Sequence, residues 1–239
     1  MTDDLALSPS VVTLTRELVD REPTDPSSAE LAGWLAASPR FRRFAEANRS
    51  KIRKKLRNAA DADAALDVRA ELQVARLILA DSRFEVAFEA YGSRVVGPDF
   101  TVTDRAGRAF NLEVTRVRRA VDPGAVAAII LGKLRQLPPS TPNGLVLAVD
   151  GEHAGAVDVD AAIRGLRARA DARDEPFFTA RGMDGMSAFW DRFLRLGAVF
   201  VWCEGGSREA RAAVWTNRSA RIALPARSAV ACLACLRGD

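Results

Sequence analysis

Residues 145–149 (LVLAV) form an unbroken apolar run bounded by Gly144 and Asp150. Side chains alternate across a strand, so a strand built from this run has no polar face to offer water. It has to lie inside a sheet with cover on both faces. The segments around it supply that cover. Pro123 opens a helical stretch over residues 123–137 (PGAVAAIILGKLRQL), since proline suits a first helical turn, and Pro138 and Pro139 end it. A helix over about 67–80 precedes three strand-like segments: 84–90 (FEVAFEA), 99–103 (DFTVT) and 110–117 (FNLEVTRV). Asp104-Arg-Ala-Gly107 reads as the hairpin turn between the last two.

Further on, residues 159–170 and 188–196 read as helices, and 199–203 and 212–216 as strands flanking the turn at Glu204-Gly-Gly-Ser207. The order is helix, three strands, helix, strand, two helices, two strands. That is an α/β chain with a mixed central sheet covered by helices. Toward the N-terminus, residues 23–28 (PTDPSS) read as a linker, with Ser27 or Ser28 capping a helix from about Ala29. A second helical stretch follows Pro39, with Phe41, Phe44, Ala45, Ile52 and Leu56 on one apolar stripe. Two regions follow: an N-terminal helical, basic extension over 1–62 and an α/β domain over 63–239.

Charge is unevenly placed. The formal net charge is +4, yet residues 40–57 hold nine basic residues and one acid, Glu46. Arg49, Lys51, Arg53, Lys54, Lys55 and Arg57 lie mostly off the apolar stripe. They form either a solvated helix face or an arm that contacts phosphates. No apolar run reaches the ~20 residues that span a bilayer, and the first residues lack a signal-peptide pattern. A soluble, cytoplasmic protein without a membrane partner is expected. Three cysteines argue against a disulfide framework. The single histidine, His153, sits in a loop-like stretch, so an HExxH zinc site is excluded and His-based triads lose support. No GxxxxGK or GxGxxG stretch supports nucleotide binding.

Alternation in the third strand points Phe110, Leu112 and Val114 one way, and Asn111, Glu113 and Thr115 the other. In the second strand Asp99, Thr101 and Thr103 form the polar set. A hairpin therefore brings Asp99 and Glu113 to one face. Two carboxylates on neighbouring strands suit Mg²⁺, which keeps water and substrate phosphate in much of its octahedron.

Glu71 on a helix, then Gly97-Pro98-Asp99-Phe100, then Leu112-Glu113-Val114-Thr115, resembles the PD-(D/E)xK, restriction-endonuclease-like nuclease superfamily. The order helix, three-stranded meander, helix, strand matches that superfamily's core, over about a third of the chain. The resemblance implies Mg²⁺- or Mn²⁺-dependent phosphodiester hydrolysis in nucleic acid, with DNA as the expected substrate. It implies Asp99 and Glu113 as metal ligands, the Val114 carbonyl as a third, and Glu71 as the helix acid. The family pattern ends in lysine where this chain has Thr115, which can donate a hydrogen bond but carries no charge. Some branches move the lysine to the following helix, and Lys133 with Gln136 resembles that arrangement. Arg116, though adjacent, points to the opposite face.

Other signals are weaker. Cys232 and Cys235 form a lone CxxC, better read as apolar packing than as zinc binding. Trp190, Trp202 and Trp215 sit among apolar neighbours and read as core. The first expectation is thus a nuclease. The second is an inactive nuclease-fold module that binds nucleic acid or protein, with homodimerisation open.

Overall fold

The computed structural model describes residues 7–19, 26–92, 96–118, 122–150, 157–204 and 212–238. His153 and the turn residues 205–207 lie outside them. The chain divides into two units, Met1–Ser82 and Arg83–Asp239. The division thus falls after residue 82, and the helix expected to open the α/β region groups with the N-terminal helices.

The first unit holds α1 (Pro9–Val19), α2 (Pro26–Ala37), α3 (Pro39–Ala47), α4 (Arg49–Asn58) and α5 (Ala62–Ala80). Helix α2 starts at Pro26 itself, so Ser27 and Ser28 lie inside its first turn rather than capping it. The stretch after Pro39 is two helices where the stripe predicts one. Asn48 makes the break: its side-chain amide donates to the Phe44 carbonyl at 2.9 Å, and its backbone leaves the helical region at φ −108°, ψ 15°. Asparagine competes with the helix in this way by offering the backbone a side-chain partner. Most of the stripe holds: Phe41, Phe44, Ala45 and Ile52 are buried, and Leu56 is half-buried. Arg69 clamps Glu30 through two hydrogen bonds of 2.6 Å, which ties α5 to α2. Asp61 caps α5 ahead of the expected start.

The second unit carries a six-stranded sheet in the order β1 (Phe84–Phe88), β2 (Phe100–Asp104), β3 (Ala109–Val117), β4 (Asn143–Val149), β5 (Leu196–Cys203), β6 (Ala212–Thr216). The β1–β2, β2–β3 and β5–β6 pairs are antiparallel; β3–β4 and β4–β5 are parallel. The β2–β3 turn forms as expected. Gly107 takes φ +75° and donates to the Asp104 carbonyl at 2.9 Å. The Asp104 carboxylate accepts from Arg108 Nε and from the backbone N–H groups of Ala106 and Arg108. Its pKa falls below the ordinary value near 3.8, first through the Arg108 side-chain bond and then through those backbone donors.

Parallel pairing requires a crossover. Helix α6 (Pro123–Lys133), capped by Asp122 and extended by a 3₁₀ turn over Leu134–Gln136, joins β3 to β4. Helices α7 (Val159–Asp171), α8 (Glu175–Thr179) and α9 (Gly185–Phe193) join β4 to β5. Leu145, Leu147 and Val149 pack with Val126, Ile130 and Leu166 in one core. Val146 and Ala148, on the opposite face, are buried as well, so the apolar run of β4 is covered on both sides. Gly144 sits close against its neighbours where β4 begins: a Cβ there would lie 2.8 Å from Leu112 Cδ2, so that side chain would have to shift.

Strand β5 begins at Leu196, so the expected helix over 188–196 ends early and its apolar tail joins the sheet. Trp190 and Trp215 lie against Phe193, and Trp202 is buried. A last helix, α10 (Ala226–Arg237), falls outside the expected elements and packs on β5 and β6. It carries Cys232 and Cys235 one turn apart, both buried. Burial pushes the Cys232 thiol well up, and Cys235 adds to the shift.

Where β3 and β4 begin lies a buried amide pair. Asn111 donates to Asn143 Oδ1 at 3.0 Å, and Asn143 Nδ2 lies 2.8–3.0 Å from the carbonyls of Pro138, Thr141 and Arg195. Truncating Asn143 leaves several buried polar groups without partners. Asn143→Ala is expected to cost about 2 kcal/mol. A drop in the urea midpoint at constant slope would register it, and an unmoved midpoint would mean that water replaces the amide.

Candidate active site

Strand β3 outruns β2. Residues 109–112 pair with β2, whereas β4 accompanies β3 from 111 to 117. Among the described residues, β3 from Glu113 onward pairs with β4 alone, and the β2 side opens into a fork. Asp99 stands at the mouth of that fork, just before β2. Its carboxylate accepts the Val114 backbone N–H at 2.9 Å, a donor that would otherwise seek the missing strand. The Val114 carbonyl lies on the same edge of β3 as its N–H, hence on Asp99's side. The last β2–β3 pair is Phe100↔Leu112, so Asp99 and Glu113 are the first residues beyond it on the two segments.

Glu113 is only 2% exposed. A carboxylate so placed needs a charged partner and full hydrogen bonding. It has both. Lys133 Nζ, from the last turn of α6, donates to Glu113 Oε1 at 2.7 Å. Gln136, with its amide nitrogen turned toward the acid, donates to Oε2 at 2.7 Å. Helix and 3₁₀ turn thus bring residues 133 and 136 to the same carboxylate. Lys133 remains 27% exposed, so its ammonium reaches water while its partner does not.

The remaining expected residues fall as follows. Thr115 lies on Glu113's face, one pleat further on, and is half-buried. Arg116 points away and approaches Asp150 at 3.9 Å. Glu71 belongs to the first unit, where Lys55 donates to it. Arg49, Lys51, Arg53, Lys54, Lys55 and Arg57 all lie on α4. Sequence alternation gives Asn111 a face but no role. In the structure it is fully buried, accepts from Thr101 Oγ1 at 2.9 Å and anchors the base of the fork to Asn143. The signal is in the pattern of β3, because a polar residue two positions before Glu113 shares its face.

Among the described residues, no group of three or more His, Cys, Asp or Glu side chains is placed to hold a metal. The donor set at the fork is smaller: two carboxylates and one backbone carbonyl. It suits a hard cation that keeps several waters and does not suit zinc.

Fold and fork together define an α/β protein with a six-stranded mixed open sheet and a pair of acids where β2 ends beside β3. Comparison with known proteins finds no matching family model, no matching curated protein and no matching solved structure. No helix among the described residues is long and apolar enough to cross a membrane.

Proposed function

We propose that this chain is a metal-dependent nuclease of the restriction-endonuclease-like kind, acting on phosphodiester bonds in nucleic acid, with DNA as the expected substrate and the cytoplasm as its setting. One observation carries the reading. The Asp99 carboxylate caps the Val114 N–H at the open end of β3, next to Glu113, and Lys133 meets Glu113 from the following helix. That is where a cation is needed once Thr115 replaces the strand lysine.

Asp99, Glu113 and the Val114 carbonyl would hold Mg²⁺ or Mn²⁺. Such an ion polarises a phosphate and makes water a better nucleophile near neutral pH. The protein's own groups do the rest. Buried Glu113 supplies a fixed negative charge at a dry position. The Lys133 ammonium, partly in water, can turn from that acid toward phosphate oxygens as negative charge grows on them. Gln136 holds Glu113 in place, and the Thr115 hydroxyl offers one neutral donor on the same face.

A second reading has its own support. Glu113 is already engaged by Lys133 and Gln136, and Thr115 carries no charge, which suits an inactive nuclease fold that binds nucleic acid or protein. Supercoiled plasmid and single-stranded DNA, incubated with the protein and Mg²⁺ or Mn²⁺, separate the two. Nicking that EDTA stops is expected. Intact substrate with either ion would defeat the nuclease reading and leave the binding module.

A further inference from the structure

Helix α4 breaks two local rules at once. Its sequence, RSKIRKKLRN, holds six cations and no acid, and two of them, Arg49 and Lys51, stand in the first turn. Positive charge there opposes the helix dipole, and like charges three or four residues apart repel. Residues that disagree with their own element mark places where function outweighs stability.

The six cations do not share one task. Arg49 donates to Glu17 at 2.6 Å, and Lys55 donates to Glu71. Arg53, Lys54 and Arg57, with Ser50 and Asn58 at the ends, line one open cleft of about 430 Å³. Positions 50, 53, 54, 57 and 58 follow helical spacing, so the cleft runs along one face of α4, away from buried Ile52.

We infer that this cleft seats the phosphodiester backbone of a nucleic-acid strand, held by Arg53, Lys54 and Arg57. Residues 50 to 58 span about 12 Å along the helix at 1.5 Å per residue. That length exceeds what a lone phosphate would use and suits a run of successive phosphates on one strand. Arginine forks match phosphate oxygens two at a time, and lysine adds a point charge. Ser50 and Asn58 offer neutral donors at either end. Among the described residues no apolar side chain lines the cleft. That disfavours a lipid surface, since amphipathic membrane helices bury one apolar face beside their basic one. The inference takes the ligand class from the proposed function and does not need cleavage.

The test is fluorescence anisotropy of the full chain with labelled 20-nucleotide single- and double-stranded DNA and RNA across a salt series. Every phosphate that the protein no longer neutralises lowers the slope of log affinity against log salt by about 0.7–0.9. The triple variant Arg53→Gln, Lys54→Gln, Arg57→Gln is expected to bind ten- to a hundredfold more weakly, with the slope reduced by roughly two to three. A control triple, Arg164→Gln, Arg167→Gln, Arg218→Gln, removes three exposed charges elsewhere and is expected to keep the slope. Equal losses in both triples, or none in the first, would overturn the inference. Should the first triple fail to fold, exposed Lys54→Gln alone is expected to lower the slope by about one, and an unchanged slope would overturn it equally. Tighter binding to phosphatidylserine vesicles or polyglutamate than to any oligonucleotide would assign the cleft to another partner and overturn it too. Binding that survives without any cleavage in the unmodified protein leaves this inference standing while the nuclease reading falls.

Discussion

Glu113→Gln is expected to lower Mg²⁺-dependent cleavage roughly a thousandfold while leaving the fold intact. The substitution keeps shape and volume. The new amide oxygen still accepts from Lys133 Nζ, now at 2.7 Å from Glu113 Oε1, so the buried position does not become an orphan. What disappears is the negative charge. Charge stabilisation by a catalytic cation amounts to several kcal/mol, and each 1.36 kcal/mol is tenfold in rate, which sets the scale at about three powers of ten. Asp99→Asn is the matched experiment across the fork, since an asparagine oxygen can still accept the Val114 N–H held at 2.9 Å. Initial rates on plasmid, paired with thermal melts, measure both. Cleavage within tenfold of the unmodified protein, at an unchanged melting temperature, would remove these acids from the chemistry.

The fork is partly legible in the sequence because period two is a strong constraint. Phe110, Leu112 and Val114 have to face one way, which leaves Asn111, Glu113 and Thr115 together, and the hairpin at residues 104–107 sets Asp99 opposite. The apolar strand at 145–149 likewise implies its own cover. Lys133 is within reach of such reasoning because a helix that starts at Pro123 brings its last turn back over the sheet. The depth of Glu113 is not legible, since alternation gives direction but not what packs above a side chain. Nor is the capping of Val114 N–H by Asp99, which depends on where β2 stops pairing. Elsewhere the differences share one cause: a local side-chain choice overrides the periodic pattern. Asn48 splits one amphipathic stretch into α3 and α4. Leu196 leaves a helical run to begin β5. Helix α10 has a weak pattern because residues 226–237 carry mostly small side chains, and its CxxC points to sulfur chemistry before it points to a helix.

Lys133→Met should destabilise the sheet-bearing unit by about 3 kcal/mol, at the lower end of what breaking a buried ion pair costs. Glu113 would keep its charge at 2% exposure after losing the ammonium, with Gln136 still donating to it. The lower end applies because Lys133 is 27% exposed, so water can follow the departing ammonium part of the way. The effect belongs to the uncompensated acid and not to the lost lysine itself. Adding Glu113→Gln to Lys133→Met should therefore restore much of the stability, with a coupling energy of roughly 1–3 kcal/mol in the double-mutant cycle. Urea unfolding followed by tryptophan emission of the Trp34→Phe background reports on this unit, since the other three tryptophans, Trp190, Trp202 and Trp215, all lie in it. If Lys133→Met unfolds at the same midpoint as the unmodified protein, Glu113 is not held by that ammonium in solution.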